Sequence, residues 1–436
     1  MYVFEALDSA RLSKFHYIIL VIASLMYMLT ALNVMLIGAV IKPIISEWGL
    51  DIVLAGYLIS IGYLGMFFGA IIFGRLSDLI GRRNTIIIVL LIEAVFTALH
   101  GLAYDVYSLS ILRFLAGIGL GAALPQPGIY ISEYVPVKYR GRFLGIVETS
   151  WVYGALLSLI FPYIIIPLYG WRTAFIVGLL PLIIIPLVVI YMPESIRYLI
   201  KRNRADEVKE ILYRNGIVER GIEITFRSED VVSRYSIKDL FSSRYAKRTV
   251  LLTILWMSLV YTYHGVFIWL PTLYSKEFGM TIVKSLFWTI LITLFQIPGY
   301  YSATFLLDKI GRKKVLGIYL TLAGLASLFL GLVVHETWFF IWSSVISFFN
   351  LGAWAGLYTY TPELYPTEVR GAGSGFAASM GRFAGILAPT FTAYLYVSTG
   401  LFGPYSVFAV VHIIAAVSVL VLGIETMGKS LEELAK

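Results

Sequence analysis

Cysteine does not occur among the 436 residues, which excludes disulfides, thiolate metal sites and cysteine nucleophiles together. Glutamine is nearly missing as well, at positions 126 and 296 only, and charged residues make up 14% of the chain. The five histidines show no zinc-ligand spacing, and neither a phosphate-cradling glycine loop nor a nucleophile elbow is present. These gaps argue against a metal centre, an ATP-driven pump and an intramembrane enzyme. No cofactor is expected.

What fills the chain instead is apolar surface, at 59% hydrophobic residues, more than a water-soluble fold can hide. A bilayer core about 30 Å thick asks for roughly 20 apolar residues per helical span. Twelve such stretches can be counted, near 15–41, 52–73, 84–104, 107–132, 143–167, 172–192, 248–274, 283–307, 314–334, 337–361, 373–396 and 403–424. The first is too long for a signal-peptide core and has no small-residue cleavage site, so it should persist as span one. The expected class is an all-α membrane protein of twelve transmembrane helices.

The net charge of +8 needs no nucleic-acid partner. With the N-terminus inside, 28 of the 34 Lys and Arg fall on the cytoplasmic side, four in outer loops (Lys42, Arg172, Lys276, Lys284) and two within spans (Arg113, Arg382). That asymmetry predicts a multi-pass protein with both termini cytoplasmic, and the plasma membrane is its expected location.

A polar stretch with thirteen Lys or Arg divides the spans six and six. The predicted organisation is a six-helix bundle at 1–192, a cytoplasmic linker at 193–247, a second bundle at 248–424 and a tail at 425–436. Within the linker, Asp206 to Arg214 has the amphipathic pattern of a short surface helix.

The sequence also repeats at an offset of 230. Asp78-Leu-Ile-Gly81-Arg82-Arg83 returns as Asp308-Lys-Ile-Gly311-Arg312-Lys313. Glu133, Pro136, Arg140, Gly141 and Gly145 return as Glu363, Pro366, Arg370, Gly371 and Gly375. Six spans separate the copies, so the halves share one orientation and form a parallel repeat, which places a substrate site at mid-membrane between them.

These motifs resemble the major facilitator superfamily over essentially the whole chain. The segment from Gly74 to Arg83 is similar to that family's loop between spans two and three, and Arg113-Phe-Leu-Ala-Gly117-Ile-Gly119-Leu-Gly121 to its fourth-span motif. Pro193-Glu194-Ser195-Ile-Arg197 and Glu425-Thr426-Met-Gly428-Lys429 resemble the signatures of sugar porters and related metabolite carriers. Gly265 to Pro271, Gln296-Ile-Pro-Gly299 and Gly381-Arg382-Phe-Ala-Gly385 look most like niacin and organic-acid carriers, and the paired glutamines of hexose porters are missing from span seven. The resemblance implies transport of a small-molecule solute by alternating access. An aromatic or sugar-derived acid is the first reading, a sugar or other neutral metabolite the alternative, and a non-transporting nutrient receptor a third. It also implies an inner gate formed by Asp78, Arg82, Glu133, Arg140 and Glu194 with Asp308, Arg312, Glu363, Arg370 and Glu425. A monomer is the expected state.

Arg113 and Arg382 sit in apolar spans, where a bare charge costs at least about 2.5–3.5 kcal/mol, so each needs a partner or a wet cavity. A guanidinium fork also matches a carboxylate, which makes both candidates for an anionic solute. Proton-coupled relatives carry an aspartate in span one, where this chain reads Thr30 and Asn33. Neither titrates, which leaves the deep carboxylates Glu148 and Glu93 able to carry a transported proton, with Glu148 the first candidate and a proton as candidate co-substrate. Glu93 is the other deep carboxylate, in a span that the resemblance makes peripheral. The remaining substrate-site candidates are Asn33, Gln126, Tyr153, His264, Gln296 and Tyr358, with Tyr261, Tyr263, Trp354 and Phe376 available to stack on a flat ring.

Overall fold

The computed structural model describes residues 2–219, 222, 224–226 and 237–428. The tail beyond Gly428 and the middle of the linker, which the sequence assigns to cytoplasmic segments, lie outside the described residues. Among the described residues, ten stretches are long and apolar enough to cross a membrane. One of them, Val137–Tyr191, breaks at Gly170 (φ 79°) into two helices. Thr367–Thr399, which carries Arg382 inside it, adds a further one and brings the set to twelve.

In chain order these are α1 (Lys14–Trp48), α2 (Ile52–Ile80), α3 (Arg82–Leu99), α4 (Val106–Tyr134), α5 (137–169) and α6 (171–191). The second set is α7 (Ala246–Phe267 continued by Leu270–Phe278), α8 (Ile282–Ile310), α9 (Arg312–Gly331), α10 (Glu336–Glu363), α11 (Thr367–Thr399) and α12 (Phe402–Leu422). Between the sets lies the short helix Ala205–Arg214, on the segment whose pattern predicts it, with Val208 and Leu212 buried.

The repeat seen in the sequence reappears in the packing. In the first half α1 packs on α5, α2 on α4, and α3 on both α4 and α6. In the second, α7 packs on α11, α8 on α10, and α9 on both α10 and α12. The two most extensive contacts between halves, α2 on α11 and α5 on α8, exchange with each other under the same operation.

The correspondence extends to single atoms at the helix ends that carry both termini. Gly81 and Gly311 adopt the same left-handed backbone (φ 95° and 96°), where a Cβ would collide with the carboxylates of Glu194 and Glu425. Glycine therefore lets each carboxylate sit on a helix N-terminus, where free N–H groups and the helix dipole favour an anion. Glu194 accepts from the Arg82 N–H at 2.7 Å, and Glu425 from the Arg312 N–H at 2.8 Å. Arg82 pairs with Asp78 and Glu133, and Arg312 with Asp308 and Glu363.

Candidate functional site

Glycine makes the close packing of the first half possible. Gly65 of α2 faces Gly117 of α4, Gly69 lies against Ile118 and Gly121 against Met66, and a Cβ at any of the four glycines would run into the backbone opposite. Such small-xxx-small pairs let two helix backbones touch, which is how helices associate where lipid offers no hydrophobic driving force.

One turn after Gly121, Pro125 interrupts α4. An unbroken helix would bond the N–H of position 125 to the carbonyl of position 121, and proline has no N–H to give. The orphaned Gly121 carbonyl instead accepts Nη1 of Arg382 at 2.9 Å, from α11 in the other half. A buried carbonyl must find some donor, and here the donor is the cation itself.

Arg382 and Pro125 line a cavity of about 250 Å³ between the halves. Its walls come from α1, α2, α4, α5, α7, α8, α10 and α11, while α3, α6, α9 and α12 stand behind. Single helical faces supply the walls: Trp256, Val260, Tyr263 and His264 from α7, Leu351, Trp354 and Tyr358 from α10, and Glu148, Trp151 and Val152 from α5. Spacings of three, four and seven residues put each group on one stripe. Tyr27, Tyr63 and Tyr300 complete a largely aromatic enclosure.

Hydrogen bonds tie the two halves across this cavity. The hydroxyls of Tyr27 and Tyr358 lie 3.2 Å apart, and Trp151 Nε1 donates to the Tyr263 hydroxyl at 2.8 Å. Tyr63 meets the His264 ring edge-on at 4.8 Å, and His264 Nδ1 lies 2.9 Å from the Val260 carbonyl. Glu148 stands beside Tyr27 and Tyr358, and its Oε2 meets no hydrogen-bond partner among the described residues.

Of the residues singled out from sequence, Arg382, Glu148, His264, Tyr358, Tyr263 and Trp354 line the cavity. Gln296 sits one layer back, accepting from the Tyr263 hydroxyl at 3.3 Å. Arg113 is outside it, buried between α2 and α4 with Nη2 donating to the Ile59 carbonyl at 3.5 Å, and the cavity wall there is Tyr63 instead. Asn33 turns away too, donating to the Gly178 carbonyl of α6 at 3.2 Å, and Thr30 donates to Glu93 of α3 at 3.1 Å. Gln126 is buried beyond Pro125, and Tyr153 lies beside Tyr301. Tyr261 faces a separate apolar groove, and Phe376 packs edge-on against Phe241 at 5.4 Å.

The residues that the resemblance assigns to an inner gate lie at the helix ends on the side of Ser13 and Gly423. Arg82 and Arg312 pair within their own halves, Arg140 pairs with Asp8 at 3.3 Å, and Arg370 Nε donates to the Tyr365 carbonyl at 3.3 Å. Sequence reasoning missed Tyr27, Tyr63, Trp151, Trp256 and Tyr300. Trp151, three residues after Glu148, carried a usable signal, because i and i+3 share a helical face.

The family model described as "Sugar (and other) transporter" matches residues 15–436. The chain belongs to this family, within the major facilitator superfamily. The niacin transporter NiaP of Acinetobacter baylyi is 35% identical over 435 residues, covering 98% of both chains. The benzoate transport protein of the same organism is 26% identical, over 90% of this chain and 86% of its own. Among solved structures, the inward open xylose transporter XylE from E. coli superposes with a TM-score of 0.75 at 20% identity, covering 96% of this chain and 99% of that one. This family member is therefore a multi-pass membrane carrier for a small solute, and not an enzyme.

Proposed function

We propose that the chain carries a small aromatic monocarboxylate across the plasma membrane by alternating access, with Arg382 receiving the carboxylate. One observation carries the reading: a guanidinium lines an aromatic cavity between the halves, with one N–H held by Gly121 and the rest of its fork without a hydrogen-bond partner among the described residues. A guanidinium offers five donors, so this leaves enough for a two-point grip on a carboxylate. The ring of such an acid would lie among Tyr63, Trp151, Trp256 and Trp354, where stacked or edge-on contacts add roughly 0.5–1.5 kcal/mol each. A cavity of about 250 Å³ suits one ring, being below the range of roughly 300–1,000 Å³ usual for drug-sized ligands. Relatives named for niacin and benzoate transport support the same class.

The bundles 1–192 and 248–424 rock about this cavity as bodies, joined by the linker 193–247. The lysine and arginine distribution supports a cytoplasmic position for both termini, and the protein works as a monomer. Glu148 takes up the co-transported proton: it is the carboxyl on the cavity wall, whereas Thr30 and Asn33 of α1 are turned toward α3 and α6. The charge clusters around Arg82 and Arg312 brace each half at its cytoplasmic end while the halves move. Individually such pairs are worth about 0–1 kcal/mol, so they act as a network.

Uptake of labelled nicotinate, benzoate and hexoses into liposomes tests the proposal. Carboxylate uptake that exceeds hexose uptake and falls at least tenfold in Arg382→Ala is expected, since a hydrogen bond to a charged group contributes about 1.5–3 kcal/mol. Hexose uptake indifferent to Arg382 would overturn it.

A further inference from the structure

Arg382 is one of two charged residues on the cavity wall, and the second, Glu148, has the opposite sign and comes from the opposite half. The two form no ion pair with each other, as Arg382 is anchored to Gly121 and Glu148 keeps company with the Tyr27 and Tyr358 hydroxyls. A ring that bears only a carboxylate satisfies Arg382 and offers Glu148 nothing but carbon on the cavity side, beyond the Tyr27 and Tyr358 hydroxyls already beside it. Its Oε2, already without a protein partner among the described residues, would then be shut in against an apolar edge.

We propose that Glu148 is the specificity-determining residue that selects acids whose ring carries a nitrogen. The proposal rests on the aromatic-acid reading above. A neutral ring nitrogen accepts a hydrogen bond from the protonated carboxyl, and a protonated ring nitrogen donates one to the carboxylate. Both forms place one proton between the same two atoms, so the contact survives either distribution of charge. The solute thereby bridges the halves, with its carboxylate on α11 and its ring nitrogen on α5. A site built around such a polar group rejects an analogue lacking it more strongly than an apolar pocket rejects a missing methylene.

The test measures dissociation constants of nicotinate and benzoate for the purified protein by quenching of cavity tryptophans, in wild type, Glu148→Gln and Glu148→Leu. Wild type should favour nicotinate by tenfold or more, equivalent to about 1.4 kcal/mol. Glu148→Gln should keep the preference, because its amide N–H still donates to a ring nitrogen. Glu148→Leu should bring the ratio close to one, with benzoate binding at least as well as before. Binding of both acids with an unchanged ratio in Glu148→Leu overturns this assignment alone. If neither acid binds wild type, the aromatic-acid reading fails and takes the assignment with it.

Discussion

Arg113 spends its guanidinium inside the first half, in space that Gly62 leaves open, beside Tyr63, which lines the cavity where Arg113 does not. Truncating it should therefore damage the fold more than the site. Arg113→Ala is expected to cost roughly 2–5 kcal/mol of stability, as other large-to-alanine changes in packed cores do. A thermal-shift assay should record a lower melting temperature, with acid affinity changed less than threefold. Arg382→Ala should do the reverse, and loss of affinity from both variants alike would return Arg113 to the site. A parallel contrast separates the two deep carboxylates. Both oxygens of Glu93 accept from Thr30 at 3.1 Å in the bundle interior, while Glu148 lines the cavity. In liposomes with an imposed pH gradient, Glu148→Gln should abolish uphill accumulation and Glu93→Gln should retain it. Arg382 and Glu148 were legible in the sequence because a charge in an apolar span demands a purpose. The aromatic wall was not, since 15% of the chain is aromatic and a ring does not disclose whether it meets lipid, helix or solute. Only spacing from an anchor, as from Glu148 to Trp151, carries that information.

At the level of elements, α4 does two jobs that its sequence states separately. Its glycines press it against α2, and Pro125 frees the carbonyl that Arg382 takes from the opposite half. The glycine pattern and the prolines are plain in the sequence as sites of bending and close approach. The partner of the freed carbonyl is not, because it lies 261 residues away in the chain. Pro125→Ala returns an N–H to position 125, so the helix should reclaim the Gly121 carbonyl and release Arg382. Acid affinity should then fall several-fold through loss of preorganisation. Melting temperature should hold, as a helical hydrogen bond replaces the one between halves. Unchanged affinity would show that the anchor is dispensable. A Gly121→Val substitution, by contrast, puts a branched side chain into the α2 backbone, and a sharp drop in folded yield is expected on size-exclusion chromatography.

Over the whole molecule, the 230-residue repeat made the fold legible, because two copies of one six-helix unit leave few ways to enclose a cavity. The repeat does not say which end of the cavity is shut. Contacts between the halves at the end away from the termini answer that: Gly38 of α1 lies against Ile268 of α7, Gly56 of α2 against Thr390 and Ala393 of α11, and Leu159 of α5 clusters with Leu286 of α8. In the same seam the hydroxyls of Ser60 and Thr390 lie 2.8 Å apart, one on each half. If the halves rock, this pair must separate whenever that end opens. The native chain has no cysteine, so Ser60→Cys with Thr390→Cys introduces the only two thiols, and side chains this close can meet the roughly 3.5–4.5 Å Cβ separation of a disulfide. Oxidation should therefore stop liposome uptake almost completely and a reductant should restore it, while each single-cysteine variant transports at the wild-type rate under both conditions. Binding to the oxidised protein should persist from the side of the termini, since the cavity remains intact beneath the seal. Full uptake by the crosslinked double variant would mean that the solute crosses without the halves parting there, and alternating access about this cavity would have to be abandoned.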